Sequence, residues 1–375
     1  MEVIPMADSN HSGQRNALAD PLAEARSARS ADSNGDAIHE LQAPSRRKKS
    51  RPSSGLPQEW TRVCGLAMKQ LDRCVSLEPK VLQGDNPEAV HDLRVATRRL
   101  QQVLDLIFPS PRPREIRKLR RRLRRCRSSL SEVRNCDMLL ERVDAALARK
   151  RTAHREARRA IRQYLITRRA ATFEKALRKL TRANLSELYV RMKEYLLGHG
   201  GPFPAGESVD HHSGAPTPSV EQFYAHIGEN LKTMWEALEE QMACSRRKPE
   251  APVLHRMRIA AKRLRYLVEV VHAFGVPGSP EALIWLRNLQ KHLGHWHDLV
   301  VFEETVIAMI ADPDFLRDHM DLALEIERLI LRNRVLKVKL EGKYLEATAD
   351  QTDLQRTKDW VSRIIAAPSA VFIHA

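Results

Sequence analysis

The sequence predicts an all-α fold, two pseudo-symmetric four-helix-type bundles produced by an internal duplication. Three observations predict it. From Leu56 onward apolar residues recur at helical spacing, and no alternating stretch with hairpin turn chemistry interrupts them. One long Gly-, Pro- and Ser-rich stretch, residues 199–219, divides this body into halves of similar length. The pattern H-x-x-R-[VI]-x-x-[RK]-R-L occurs once in each half, at His91 and at His255.

Residues 1–55 are polar, lack apolar periodicity and end in the basic cluster RRKKSR, the composition of a disordered tail. Bundle one is expected over 56–198. Its histidine-led helix ends at the turn FPSPRP (108–113). The helix that follows, RPREIRKLRRRLRRCRSSL, keeps an apolar seam of Ile116, Leu119, Leu123, Cys126 and Leu130 and covers its other faces with arginine. A polar knot, LSEVRNCD (130–137), comes next. Bundle two, expected over 220–367, repeats the order: a helix from His255, the turn FGVPGSP (274–280), the helix EALIWLRNLQKHL, and the knot LGHWHDLV (293–300). The interval from His91 to Leu130 is 39 residues and that from His255 to Leu293 is 38. Residues 368–375 read as a closing tail.

On a helical wheel Leu93, Thr97, Leu100, Leu104 and Ile107 form one apolar stripe. His91, Arg94 and Arg98 fall within about 60° of one another on a different face. The second copy gives the stripe Met257, Ala261, Leu264, Val268 and Val271, and the basic face His255, Arg258 and Lys262. Arg99 and Arg263 lie off that face in both copies. Stacked cations repel each other by a few tenths of a kcal/mol per pair (about 0.2–0.5). An anion lying across them offsets that cost, and arginine's planar fork suits phosphate oxygens.

The formal net charge of +16 favours a polyanionic partner: nucleic acid, an anionic membrane surface or polyphosphate. The charge is concentrated in residues 56–199, with 34 Lys and Arg against 16 Asp and Glu. No apolar run is long enough to cross a bilayer. The first ten residues lack the basic and apolar regions of a secretory signal. The five cysteines form no C-x-x-C pair, which fits packed thiols in a reducing cytoplasm. His292, His295 and His297 stand at i, i+3, i+5, a spacing that does not share one helix face, so no metal site is expected. There is no phosphate-cradling G-x-x-x-x-G-K-[ST] loop, and neither a cofactor nor catalysis is expected. The basic helices hold almost no aromatics, with Tyr266 as the exception, whereas binders of single-stranded nucleic acid normally offer stacking platforms. Nucleic acid is therefore the second choice of polyanion.

The doubled motif, the leucine-led knots and the two-bundle duplication make the chain resemble the CHAD family, the conserved histidine α-helical domain, over roughly residues 56–367. The resemblance implies a paired-bundle domain whose basic faces line a groove that binds inorganic polyphosphate without catalysis, and an association with polyphosphate granules. Carried onto this sequence, it assigns His91, Arg94, Arg98 and Arg99 from the first motif, and His255, Arg258, Lys262, Arg263 and Arg265 from the second. The arginine-rich helix adds Arg117, Arg120, Arg121 and Arg124 on electrostatic grounds. The knots depart from the family's Arg-Asp-x-Asp type: one reads Arg134-Asn135-Cys136-Asp137, the other His297-Asp298-Leu299-Val300. Each is short of a carboxylate that supports the arginines.

Overall fold

The computed structural model describes residues 58–109, 112, 114–198, 220–349 and 351–373. The expected N-terminal tail and the 199–219 linker lie outside these residues. Among the described residues every regular element is a helix. The first half holds α1 (Gln58–Gln83), α2 (Pro87–Ile107), α3 (Arg114–Ser129), α4 (Ser131–Leu147), α5 (Arg155–Ala183) and α6 (Leu185–Gly198). The second holds α7 (Val220–Arg247), α8 (Ala251–Ala273), α9 (Ser279–Ile310), α10 (Pro313–Asp318), α11 (Met320–Ala349), α12 (Gln351–Ala366) and α13 (Pro368–Ile373).

Local chemistry sets the helix ends. Asn86 caps α2, its side chain accepting from the Ala89 N–H at 2.9 Å, and Pro87 occupies the first turn, where a missing N–H costs nothing. Pro252 plays the same part in α8. Gly278 begins α9 at φ +81°, and a Cβ there would come within 2.7 Å of the Trp360 ring, so glycine answers both constraints.

The apolar stripes fall where the 3.6-residue period puts them. Leu93, Thr97, Leu100, Leu104 and Ile107 of α2 are each 0% exposed, as are Met257, Ala261, Leu264, Val268 and Val271 of α8. The buried Thr97 hydroxyl is satisfied by donating to the Leu93 carbonyl at 2.9 Å. The seam of α3 is buried as well, so its arginines ride on a helix fixed by its other side.

Helix pairs recur between the halves: α1 on α2 as α7 on α8, α1 on α6 as α7 on α12, α2 on α3 as α8 on α9, and α4 on α5 as α9 on α11. One difference is plain. The first half breaks at Leu130 between α3 and α4, whereas α9 runs unbroken through the matching position. The halves meet where α2 lies on α8, α4 on α9, and α5 on α11. A single apolar cluster runs through both halves, and a second joins α4 and α5 to α9 and α11 around Leu139, Ile161, Phe302 and Ile326. The expected closing tail is corrected in part. Residues 368–373 form α13, which packs on α7 and buries Phe372 against Tyr224 with ring centroids 4.7 Å apart.

Candidate anion-binding site

The α2–α8 junction brings the two basic motif faces together. One cross-half ion pair sets the geometry. Arg99 of α2 donates through Nε and Nη2 to the Glu269 carboxylate of α8 at 2.9 and 3.2 Å. The Asp105 carboxylate of α2 is ion-paired with Arg120 of its own half and feels the charge of Arg263 on α8 only as a lesser effect. Arg99 and Arg263 occupy the same place in the two motifs, yet only Arg99 is paired across the halves.

Inside that frame Arg94, Arg98, Arg258 and Lys262 converge. Burial, then the charges of Arg98, Arg127, Arg134 and Arg258, pull the Arg94 guanidinium down to about 10. Arg258 is lowered by burial and by Arg98, with Asp298 partly restoring it. Lys262 falls furthest among the cations, to about 6: burial is the largest cause, followed by Arg258, Arg98 and Arg265. At neutral pH the arginines remain charged. The junction therefore holds cations from both halves in mutual repulsion, with Asp298 as the carboxylate that bears on Arg258 and Lys262.

The two halves hold their arginines differently. Arg94 Nη1 donates to the Arg127 carbonyl at 2.6 Å and to Ser131 Oγ at 2.7 Å, so it clamps the α3–α4 break. The Nε of its counterpart Arg258 is buried without a hydrogen-bond partner. Two guanidinium groups lie near the Tyr266 ring, Arg265 at 4.9 Å and Arg98 at 6.0 Å from its centroid. Arg265 belongs to the cluster through Lys262, while its Nε also stands 3.7 Å from Glu269.

The histidines flank the cluster. The His255 ring lies 5.3 Å from that of His297. Burial and then Arg258 push His255 down, and the same causes, joined by His255 and Lys262, push His297 down to about 3. His297 takes the knot position that Arg134 holds in the first half, so a neutral imidazole stands where the other half has a cation. His91 is also lowered, by burial and then Arg134. It does not stand among cations alone: Glu88 and Asp92 lie beside it, with ligand-type atoms within 4.8 Å of one another. Asp92 is held by Arg73 at 2.6 Å.

Several expected site residues are placed elsewhere. Arg99 is engaged by Glu269. Arg120 is ion-paired with Asp105, and Arg263 is exposed on the Asp105 side of α8. Arg117 and Arg121 point to solvent from α3. Arg124, also exposed, acts on Arg127. Arg127 and Arg134 belong to the cluster although the motif did not name them. Arg127 Nη1 is held by Gln101 Oε1 at 2.8 Å. The knot carboxylates divide: Asp298 serves the motif cations, while buried Asp137 accepts from Arg169 of α5 at 2.5 Å.

Lys262 makes a stability test possible. Its folded-state value lies below the ordinary one, so the folded protein loses stability as pH falls from about 10.5 towards 6. Lys262→Met removes a half-buried charge and is expected to stabilise the anion-free protein by about 1–4 kcal/mol near pH 6. Thermal melts of both proteins at pH 6 and pH 10 check this. A gap that fails to shrink at the higher pH would contradict it.

The arrangement can hold an extended anion by charge and by guanidinium donors. The Cys64, Cys74 and Cys126 thiols are pushed up to about 12, chiefly by burial, and are unreactive core groups. Among the described residues no helix is long and apolar enough to cross a membrane.

The family model for the CHAD domain matches residues 65–306. The CHAD domain from the plant Ricinus communis is similar in structure at 21% identity and a TM-score of 0.58, covering 82% of this chain and 98% of its own. PptA from Streptomyces chartreusis is similar at 15% identity and a TM-score of 0.54, covering 78% of this chain and 99% of its own. At these identities the two likenesses speak for the fold. No curated protein matches the chain. A domain match that begins in α1, takes in both motif helices and ends in α9 spans more than half of the sequence, and the chain belongs to the CHAD-domain family.

Proposed function

We propose that this protein binds inorganic polyphosphate at the α2–α8 junction, without turning it over, and is thereby recruited to polyphosphate granules. The observation that carries this reading is the convergence of both motif faces on one cluster of mutually repelling cations. Polyphosphate offers closely spaced charge and no bases. The cluster offers guanidinium donors, and its one aromatic, Tyr266, is only 4% exposed and gives a base nothing to stack on.

Binding through counterion release weakens steeply with salt. With about six cations engaged, a plot of log affinity against log salt is expected to slope near −4, at roughly 0.7 per phosphate contact as for single strands. The experiment titrates long-chain polyphosphate at several salt concentrations and competes it with single-stranded DNA and RNA near physiological salt. A flat salt dependence, or an oligonucleotide that displaces polyphosphate at equal charge, overturns the reading. Granule recruitment is checked by imaging a fluorescent fusion in cells with and without polyphosphate; diffuse signal in both rejects it.

A further inference from the structure

α11 carries a surface that the anion site does not use. Met320, Leu324, Leu331, Val335 and Val338 are 58%, 50%, 51%, 56% and 66% exposed. At 100° per residue they fall within an arc of about 60°, along roughly 27 Å of helix. The core side of the same helix is separate and already filled by Ile326, Leu329 and Ile330. Gly342 continues the exposed arc, and a Cβ there would meet nothing within 4 Å. Ile307 of α9, 41% exposed, borders the stripe, and together with Ile310, Leu316, Met320, Leu324 and Leu331 it lines a groove of about 330 Å³. Single exposed apolar residues are ordinary, but a continuous helical stripe beside a groove is the form of a helix-docking surface.

The charges beside the stripe say what covers it. Asp321 and Lys339 lie on one flank, at the same wheel angle; Glu327 and Arg334 lie on the other. When two copies of a helix pack antiparallel about a twofold axis, each flank meets the same flank of the other copy in reverse order. Setting Asp321 opposite Lys339 of the partner subunit places the axis at Ile330. Setting Glu327 opposite Arg334 of the partner subunit, independently, places it between Ile330 and Leu331, half a residue away. Arg334 is held by Glu303 through Nε at 2.7 Å, which leaves its outer nitrogens for a second carboxylate. The same register sets exposed Arg328 opposite Arg332 of the partner subunit, a like-charge contact at the solvent-facing rim that salt screens. A parallel arrangement would align like charges along the whole length.

We propose that the protein forms a twofold homodimer through antiparallel contact of α11 with α11 of a second copy. The contact is isologous and closes on itself, so it yields dimers and not fibres. Sedimentation velocity and light scattering on the full chain, from about 1 to 100 µM, test it. Wild type is expected as a dimer. Leu331→Glu, at a solvent-exposed position, is expected to raise the dissociation constant at least tenfold while the far-UV circular dichroism spectrum stays unchanged. Asp321→Lys should weaken the dimer, and the swap Asp321→Lys with Lys339→Asp should restore it. A monomeric wild type overturns the proposal, including one whose stripe takes up lipid vesicles instead. So does a dimer that Leu331→Glu leaves intact, or a charge swap that fails to rescue.

Discussion

Arg98→Ala combined with Arg258→Ala is expected to weaken polyphosphate binding by about 10²- to 10⁴-fold, with the fold intact. Each side chain supplies charge-assisted donors worth about 1.5–3 kcal/mol, and every 1.4 kcal/mol is tenfold in affinity. The choice of residues comes from their different attachments. Arg94 would be the symmetric partner of Arg258, but its guanidinium clamps the α3–α4 break through the Arg127 carbonyl and Ser131. Its removal would disturb the helix junction as well as the ligand. Arg258 has a buried Nε without a partner, and Arg98 faces Arg258 and Lys262 across the halves. Removing both relieves mutual repulsion, so the double variant should melt no lower than wild type. Isothermal titration with long-chain polyphosphate measures the loss, and circular dichroism guards the fold. An affinity within threefold of wild type would remove the junction as the binding site. Arg99→Ala serves as a contrast: with Glu269 as its partner, it should cost stability between the halves more than affinity.

Helical periodicity made the frame legible. The stripes on α2 and α8 were readable because one face must be buried and the period is fixed at 3.6. The basic faces at His91 and His255 were readable because the same pattern occurs twice. Partner choice across the halves was not. Arg99 looks like a third motif cation until α8 sets Glu269 beside it, and Arg120 looks free until Asp105 is placed. Wheel geometry hinted at the first, since Arg99 lies off the basic face. In α3 the density of arginine hid which of them turns inward; only tertiary placement singles out Arg127, beside Gln101 and Arg94. The α11 stripe was hidden for a different reason. Apolar residues occur on both its core and outer faces, and the sequence does not say which has a neighbour. Phe372 was passed over because a short C-terminal segment shows no period.

Polyphosphate affinity is expected to rise as pH falls, by close to tenfold per pH unit between pH 8 and 6. In the free protein Lys262 sits at about 6, so near pH 8 it is almost entirely neutral. A bound polyanion favours the ammonium form and lifts that value. Binding therefore takes up about one proton through this range, and by linkage one proton per ligand gives a tenfold change per unit. Below pH 6 the free lysine is already charged and this contribution levels off. The neighbours act in the same direction. His91 and His255 are pushed below the ordinary imidazole value, chiefly by burial, and an anion would recharge them. Asp298 is pushed above the ordinary carboxylate range by burial, so protonating it removes the negative charge that competes with the ligand. Internal phosphates of the chain are strong acids and contribute no titration. Calorimetry in buffers of different ionisation enthalpy counts the protons directly. Lys262→Met should flatten the dependence between pH 8 and 6, whereas Lys262→Arg, charged throughout, should flatten it while keeping tight binding at pH 8. Uptake below about half a proton for wild type at pH 7.5, or an unchanged slope in Lys262→Met, would place Lys262 outside the polyphosphate contact.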